Sequence, residues 1–227
     1  MANRIATPQK SPILFPNHSL HCLVASSGSG KSHYCLSILK NIDFFYAERP
    51  KHILYVYEVY QDIFDDITGV EFIEGLPEIS KLLSYDQKAF KCLVLDDQCT
   101  SVNSSKDYAN FMCVHAHHYN YTVFYLKQSL FDRQGKYSRL INLQMHFYHL
   151  FENRRDTNTI TNLGKQILPT ESKYFLDAYR KATVKKFSPL LVDLHPLTDA
   201  KYMLRSNIFS PFPTIYERMN KQNGNIK

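Results

Sequence analysis

The stretch Ala25-Ser26-Ser27-Gly28-Ser29-Gly30-Lys31-Ser32 decides how the rest of the 227-residue chain is read. Before it lies an apolar run, His18 to Val24, containing Leu20, Cys22, Leu23 and Val24. After it, Cys35, Ile38, Leu39 and Ile42 recur at i, i+3, i+4 and i+7. The first pattern predicts a buried strand, the second one face of a helix. Strand, glycine-rich turn and helix form the setting of the phosphate-binding pattern G-x-x-x-x-G-K-[ST], with Ala25 where its first glycine stands. The residue types follow from the chemistry. Backbone amides close around a phosphate only if side chains stay clear, so Ser27, Gly28, Ser29 and Gly30 are small. Glycine also enters left-handed backbone without a Cβ clash. Lys31 is expected to reach the β- and γ-phosphates, and Ser32 to ligate Mg²⁺. The helix after the loop points its positive end at the anion. A bare Gly/Ser turn would need neither the strand nor the helical periodicity.

A second motif stands 65 residues on: Lys91-Cys92-Leu93-Val94-Leu95-Asp96-Asp97. Four apolar residues ending in two acids describe a buried strand that delivers carboxylates to its C-terminal edge, where open α/β sheets bind ligands. With the loop, this is a Walker B pattern. Asp96 is expected to hold Mg²⁺ through its water shell, and Asp97 to polarise the attacking water. Tyr121 to Leu126 predicts the next strand, and Gln128 just past its tip is placed to sense γ-phosphate and water. A basic loop comes next, Asp132 to Arg139, then an aromatic strand from Met145 to Phe151 and the segment Glu152-Asn153-Arg154-Arg155-Asp156. Arg139, Arg154 and Arg155 are candidates for an arginine finger acting across a subunit boundary.

The remaining segments set the frame. Lys51 to Tyr57 and Val70 to Ile73 predict strands; Val59 to Ile67, with Ile63, Phe64 and Ile67 on one side, and Glu78 to Leu83 predict helices. Ser104 to Asp107 matches a capping box, and Tyr108, Phe111, Met112, His115 and Tyr119 recur beyond it at helical spacing. His115, His117 and His118 have no Cys or carboxylate at ligand spacing, so no metal site is predicted there. Ile160, Leu163 and Ile167 mark a helix ending at Pro169; Phe175, Ala178, Tyr179 and Ala182 mark another, with Arg180, Lys181, Lys185 and Lys186 at its tail. Leu190 to Leu194 is a late strand. Strands alternating with helices imply an α/β fold with a mostly parallel central sheet flanked by helices. The organisation expected is an arm over residues 1–17, a nucleotide-binding core over 18–195 and a C-terminal extension over 196–227, frayed from Asn220.

Hydrophobic content of 44%, with 16 Tyr and 15 Phe, fits a globular chain and excludes a disordered one. Five cysteines form no C-x-x-C pair and read as buried free thiols of a reducing compartment. No apolar stretch approaches the ~20 residues of a membrane span, and the N-terminus lacks a signal peptide, so a soluble intracellular protein is expected. Net charge is +6, unevenly spread: nine Lys/Arg against twelve Asp/Glu through Asp97 (net −3), and eighteen against nine after it (net +9). The basic second half is where a polyanion would find its footing.

In this order the motifs resemble the FtsK/HerA superfamily, specifically the poxvirus-type DNA-packaging ATPases of large DNA viruses and of Maverick/Polinton-like elements. The matching segments are Ala25–Ser32, Tyr55–Ile67, Val70–Pro77, Leu93–Asp97, Gln128–Phe131 (QSLF), Arg139–Asn142 (RLIN) and Arg154–Pro169, about two-thirds of the chain. Two positions depart from the family pattern: Ser129 replaces the Asn of Gln-Asn-Leu-Phe, and Asp97 stands where Glu is frequent. The resemblance implies a P-loop NTPase with a RecA-like (ASCE) core, ATP and Mg²⁺ as ligands, and a homo-oligomeric ring of five or six subunits with ATP between neighbours. Arg139 is the first choice for the finger, ahead of Arg154 and Arg155. The activity implied is ATP-driven translocation of double-stranded DNA into a preformed capsid, through phosphate contacts, at a portal vertex or packaging partner. The setting implied is an infected cell, nuclear or cytoplasmic. Other readings of the loop are a nucleotide kinase, a non-packaging translocase or helicase, and a module in which ATP only orders an assembly surface.

Overall fold

Nine strands pair into a single sheet in the computed structural model, which describes residues 11–131 and 135–218. The expectations placed on residues 1–10, on Asp132, Arg133 and Gln134, and on Asn220–Lys227 lie outside those described. The strands are β1 (Leu20–Val24), β2 (His52–Tyr57), β3 (Glu71–Glu74), β4 (Lys91–Asp96), β5 (Tyr121–Lys127), β6 (Phe147–Leu150), β7 (Leu190–Asp193), β8 (Leu204–Ser206) and β9 (Thr214–Ile215). Their order across the sheet is β3-β2-β4-β5-β1-β6-β7-β8-β9. The first six in that order run parallel, and β7, β8 and β9 continue antiparallel. Both β8 and β9 fall within residues 196–218 and belong to this same sheet.

The helices are α1 (Lys31–Lys40), α2 (Ile42–Phe45), α3 (Ile79–Leu83), α4 (Cys99–Ser104), α5 (Lys106–Asn110), α6 (Ala116–His118), α7 (Ser138–Asn142), α8 (Thr157–Ile167) and α9 (Ser172–Ala182). Because side chains alternate along a strand, each central strand feeds two cores. Leu54, Leu93, Leu95, Val123 and Tyr125 pack with α5, α8 and α9 residues such as Ala109, Leu163 and Phe175. Tyr55, Cys92, Val94, Phe124 and Leu126 pack with Cys35, Ile38 and Leu39 of α1 and with Phe15. Full burial of each such side chain is worth about 1.5–3 kcal/mol. With both faces covered, β4 and β5 are buried along their whole length, which is why they read as continuous apolar runs.

Three local expectations are corrected. Val59–Ile67 is not a helix: only Asp62–Phe64 winds, as a single 3₁₀ turn. Its acids favour turns over helix interiors, and Phe64 is drawn into a cluster of rings, stacked on Phe72 and tilted or edge-on to Tyr55, Tyr57 and Tyr60. Ser105, not Ser104, caps α5, its hydroxyl accepting the Tyr108 amide at 3.2 Å, because Ser104 closes the preceding α4. Between α5 and α6 the chain widens into a π-helical turn over Phe111–His115. That shifts the buried face, leaving His115 half-buried with its ring against the Asn110 amide at 3.0 Å. Cys22, Cys35 and Cys92 are buried free thiols as expected, while Cys99 and Cys113 are half-buried. Among the described residues no helix is long and apolar enough to cross a membrane.

Candidate nucleotide site

Register brings the predicted residues to one edge. Val24 lies opposite both Lys127 and Leu150, and Leu126 lies opposite Asp96, so β1, β4, β5 and β6 end level with one another. The segments that leave these strands therefore meet at the carboxyl edge of the sheet: the glycine loop after β1, Asp97 after β4, Gln128 after β5. One strand, β5, separates β1 from β4.

The loop holds its shape through its own atoms. Gly28 and Gly30 adopt φ of 74° and 80°, where only glycine sits without strain. Ser26 and Ser29 join hydroxyls at 2.8 Å, and the Ala25 amide donates to the Lys127 carbonyl at 3.1 Å, tying the loop to β5. Gly30 is the N-cap of α1. The Lys31 side chain is buried beneath the loop, its ammonium donating to the Ala25 carbonyl at 3.1 Å and the Ser26 carbonyl at 3.5 Å. Carbonyls orient that ammonium without cancelling its charge, and the charge is what a phosphate needs.

Asp96 is a buried acid at this edge, 2% exposed. Its Oδ2 accepts two hydroxyls, Ser32 Oγ at 2.7 Å and Tyr55 OH at 2.6 Å. Its Oδ1 is buried with no partner among the described residues. Burial holds this carboxyl above the ordinary range, and neighbouring Asp97 pushes the same way, while the two hydroxyls and Lys31 pull it down. An orphaned carboxylate oxygen beside a serine hydroxyl is the donor set that a hard divalent cation takes. The residues present fit Mg²⁺, which Ser32 and Asp96 would hold.

Asp97 leaves β4 in left-handed backbone, φ 56°, a conformation Asp tolerates better than most residues. It is exposed, and Gln128 donates from Nε2 to its Oδ1 at 3.5 Å. The structure thus joins Ser32 to Asp96 and Asp97 to Gln128. The arginines stand apart from these pairs. Arg139 is exposed on the first turn of α7, Arg155 is exposed beyond β6, and Arg154 pairs with Glu152 at 2.9 Å in solvent.

Three residues at this edge escaped the sequence reading. Tyr55 sits in the middle of an apolar strand, where nothing marks its hydroxyl as a ligand of Asp96. Glu58 comes directly after β2, the neighbour of β4, and accepts the buried Gln98 side chain at 2.9 Å. Its signal was present, an acid one residue past an apolar strand, the same pattern that singled out Asp96. Asn142 fastens the helix bearing Arg139: its Oδ1 accepts the buried Lys127 ammonium at 2.9 Å, and its Nδ2 donates to the Leu130 carbonyl at 2.9 Å. The Gln128–Phe131 and Arg139–Asn142 segments, separate in sequence, are one hydrogen-bonded unit.

Comparison with solved structures gives the fold a second footing. The chain is similar to the genome packaging NTPase B204 from Sulfolobus turreted icosahedral virus 2, solved in complex with ATP-gammaS: TM-score 0.53, 13% identity, covering 90% of this chain and all of that one. It is also similar to B204, the DNA-packaging ATPase from Sulfolobus turreted icosahedral virus: TM-score 0.51, 12% identity, covering 91% of this chain and all of that one. No family model matches the sequence, and no curated protein matches it. At such identity the likeness speaks for the fold, an α/β sheet of P-loop ATPase type, and residue roles rest on the geometry of the loop and the strand ends.

Proposed function

We propose that this chain is the ATP-hydrolysing subunit of a ring motor that drives double-stranded DNA into a preformed viral capsid, of the FtsK/HerA packaging type. One observation carries the hydrolytic part: a lysine-bearing phosphate loop whose Ser32 meets a buried carboxylate, Asp96, with one oxygen left over. The packaging part is supported by the fold shared with two viral packaging NTPases over nine-tenths of the chain and by the positive second half.

In this reading the loop amides and Lys31 hold the β- and γ-phosphates of ATP. Mg²⁺, held by Ser32 and Asp96, supplies charge neutralisation on the phosphate oxygens. Gln128 orients the attacking water and Asp97 accepts its proton. The exposed arginines, Arg139 first and Arg154 and Arg155 after it, act on the neighbouring subunit's site, which makes a ring of five or six copies necessary for turnover. DNA is gripped through its phosphates, so binding is indifferent to sequence and weakens steeply with salt. The capsid partner is a portal vertex or packaging protein, in an infected cell.

The test is ATP turnover with and without duplex DNA, alongside particle size. DNA-stimulated turnover by an oligomer is expected, and mixing in Arg139→Ala subunits should poison activity more than in proportion to their dose. Turnover by a monomer, insensitive to DNA, would overturn the motor and leave a small-molecule P-loop enzyme. A strictly additive loss would move Arg139 to a role within its own subunit.

A further inference from the structure

Beyond the phosphate loop, on the side away from the hydrolytic residues, one aromatic ring is held where the free protein gains little from it. Phe187 lies in the turn between α9 and β7 in left-handed backbone, φ 62°. A bulky residue is rare in that region, and such strained positions gather at ligand clamps. The ring is 64% exposed, so burial does not account for it. It lies close against Gly30 of the loop: a Cβ built on Gly30 would stand 2.8 Å from Phe187 Cδ1.

The turn is anchored at both ends. The Tyr179 hydroxyl of α9 donates to the Phe151 carbonyl at 2.8 Å and accepts the Asn153 amide at 2.9 Å. At the other end Leu190 pairs with Leu150. Within the turn the Ser188 amide donates to the Lys185 carbonyl at 3.2 Å, and Lys185 and Lys186 are exposed beside the ring.

Strand order gives the direction. Asp96, Asp97 and Gln128 lie at the ends of β4 and β5, on one side of β1, and Phe187 precedes β7, on the other. A triphosphate lying in the loop with its γ-phosphate toward Asp96 and Gln128 directs its nucleoside toward β6 and β7. We propose that Phe187 is the platform on which the nucleobase stacks, an inference that rests on the nucleotide-binding reading of the loop. Gly30 is then required twice, for its φ and for the ring's approach. A phenyl face carries no hydrogen-bonding groups, so it favours large flat bases without choosing between adenine and guanine.

The experiment compares wild type, Phe187→Ala and Phe187→Trp, titrated in Mg²⁺ with ATP and with inorganic tripolyphosphate. Loss of one stacking contact is expected to weaken ATP binding by Phe187→Ala about tenfold, with tripolyphosphate affinity unchanged. The chain contains no tryptophan, so Phe187→Trp supplies a lone emission signal, expected to be quenched by ATP and not by tripolyphosphate. Unchanged ATP affinity in Phe187→Ala would overturn the inference. So would equal weakening of both ligands, which would make the ring a mere prop for the loop, or a Trp signal that responds alike to both. Failure of the wild type to bind either ligand would instead overturn the phosphate-loop reading, and this inference with it.

Discussion

The Lys127 ammonium, on a side chain 1% exposed, donates at 2.9 Å to Asn142 Oδ1, fifteen residues further along the chain. It also donates to the Leu130 carbonyl at 3.3 Å, and the Asn142 carbonyl takes the Tyr148 hydroxyl at 2.7 Å. A buried cation is thereby satisfied by the very residues that seat α7 against the Gln128 turn. Asn142→Leu leaves that cation short of an acceptor and should cost about 2–4 kcal/mol. Adding Lys127→Met removes the charge as well, and the double variant should recover most of the loss. Urea unfolding of the two single variants and the double would measure it; strictly additive losses would show that the two side chains do not act together.

Asp96 is expected to separate stability from function. In Asp96→Asn the carbonyl oxygen still accepts the Ser32 and Tyr55 hydroxyls, and the buried negative charge is gone. Since burial raises this carboxyl's pKa, the charged form is the costly one at neutral pH, and the melting temperature should rise. Mg²⁺-dependent ATP affinity should fall by about tenfold or more, roughly 1.4 kcal/mol. Calorimetry with and without Mg²⁺ checks both. A lower melting temperature with ATP affinity intact would remove Asp96 from the cation site.

Two exposed carboxylates, Asp97 and Glu58, flank the buried Gln98. Gln128 reaches Asp97 and not Glu58, so Asp97→Asn is expected to lower turnover about 100-fold or more, with ATP binding retained. Glu58→Gln should have the smaller effect. Steady-state rates of the two variants, each with its ATP affinity, decide the matter. The reverse ranking would make Glu58 the base.

Acid should destabilise the fold through histidines that burial keeps neutral. His21 and His149 are fully buried and share a hydrogen bond of 3.1 Å; Tyr34 joins them at His149, and Ser19 and Tyr46 at His21. Burial, with the Arg205 guanidinium adding to it, pushes His149 down to about 3, and His21 is lowered too by burial and by its histidine neighbours. In the unfolded chain each titrates near its usual 6.5. Their contribution is therefore constant above that pH, and is lost as pH falls from 6.5 toward 3, because only the unfolded chain takes up protons there. Each such histidine adds a slope of about 1.4 kcal/mol per pH unit. The buried acids Asp96 and Asp193 work in the opposite sense, so the comparison to make is wild type against His149→Gln. Between pH 6 and pH 5 the variant's stability should fall less steeply by about that slope. Parallel curves would show that His149 does not carry the effect.

Much of this protein was legible in its letters. Ala25–Ser32 between an apolar run and a helical stripe specified strand, loop and helix, because a buried parallel strand must be apolar throughout and a turn through left-handed backbone calls for glycine. Lys91–Asp97 placed two acids at a strand's end for the same reason. Local periodicity failed at Val59–Ile67, where ring stacking overrode it, and at Phe111–His115, where a wider turn changed the period. What only the tertiary structure decided was which groups share charge and space. Tyr55 reaches Asp96 from 41 residues away, Asn142 closes over Lys127, and Phe187 leans on Gly30. Such contacts depend on strand order and register across the whole sheet, which no short stretch encodes. The strand, glycine turn and helix around Ala25–Ser32 could be read from eight letters; the turn's neighbours could be known only once the sheet had brought them to its edge.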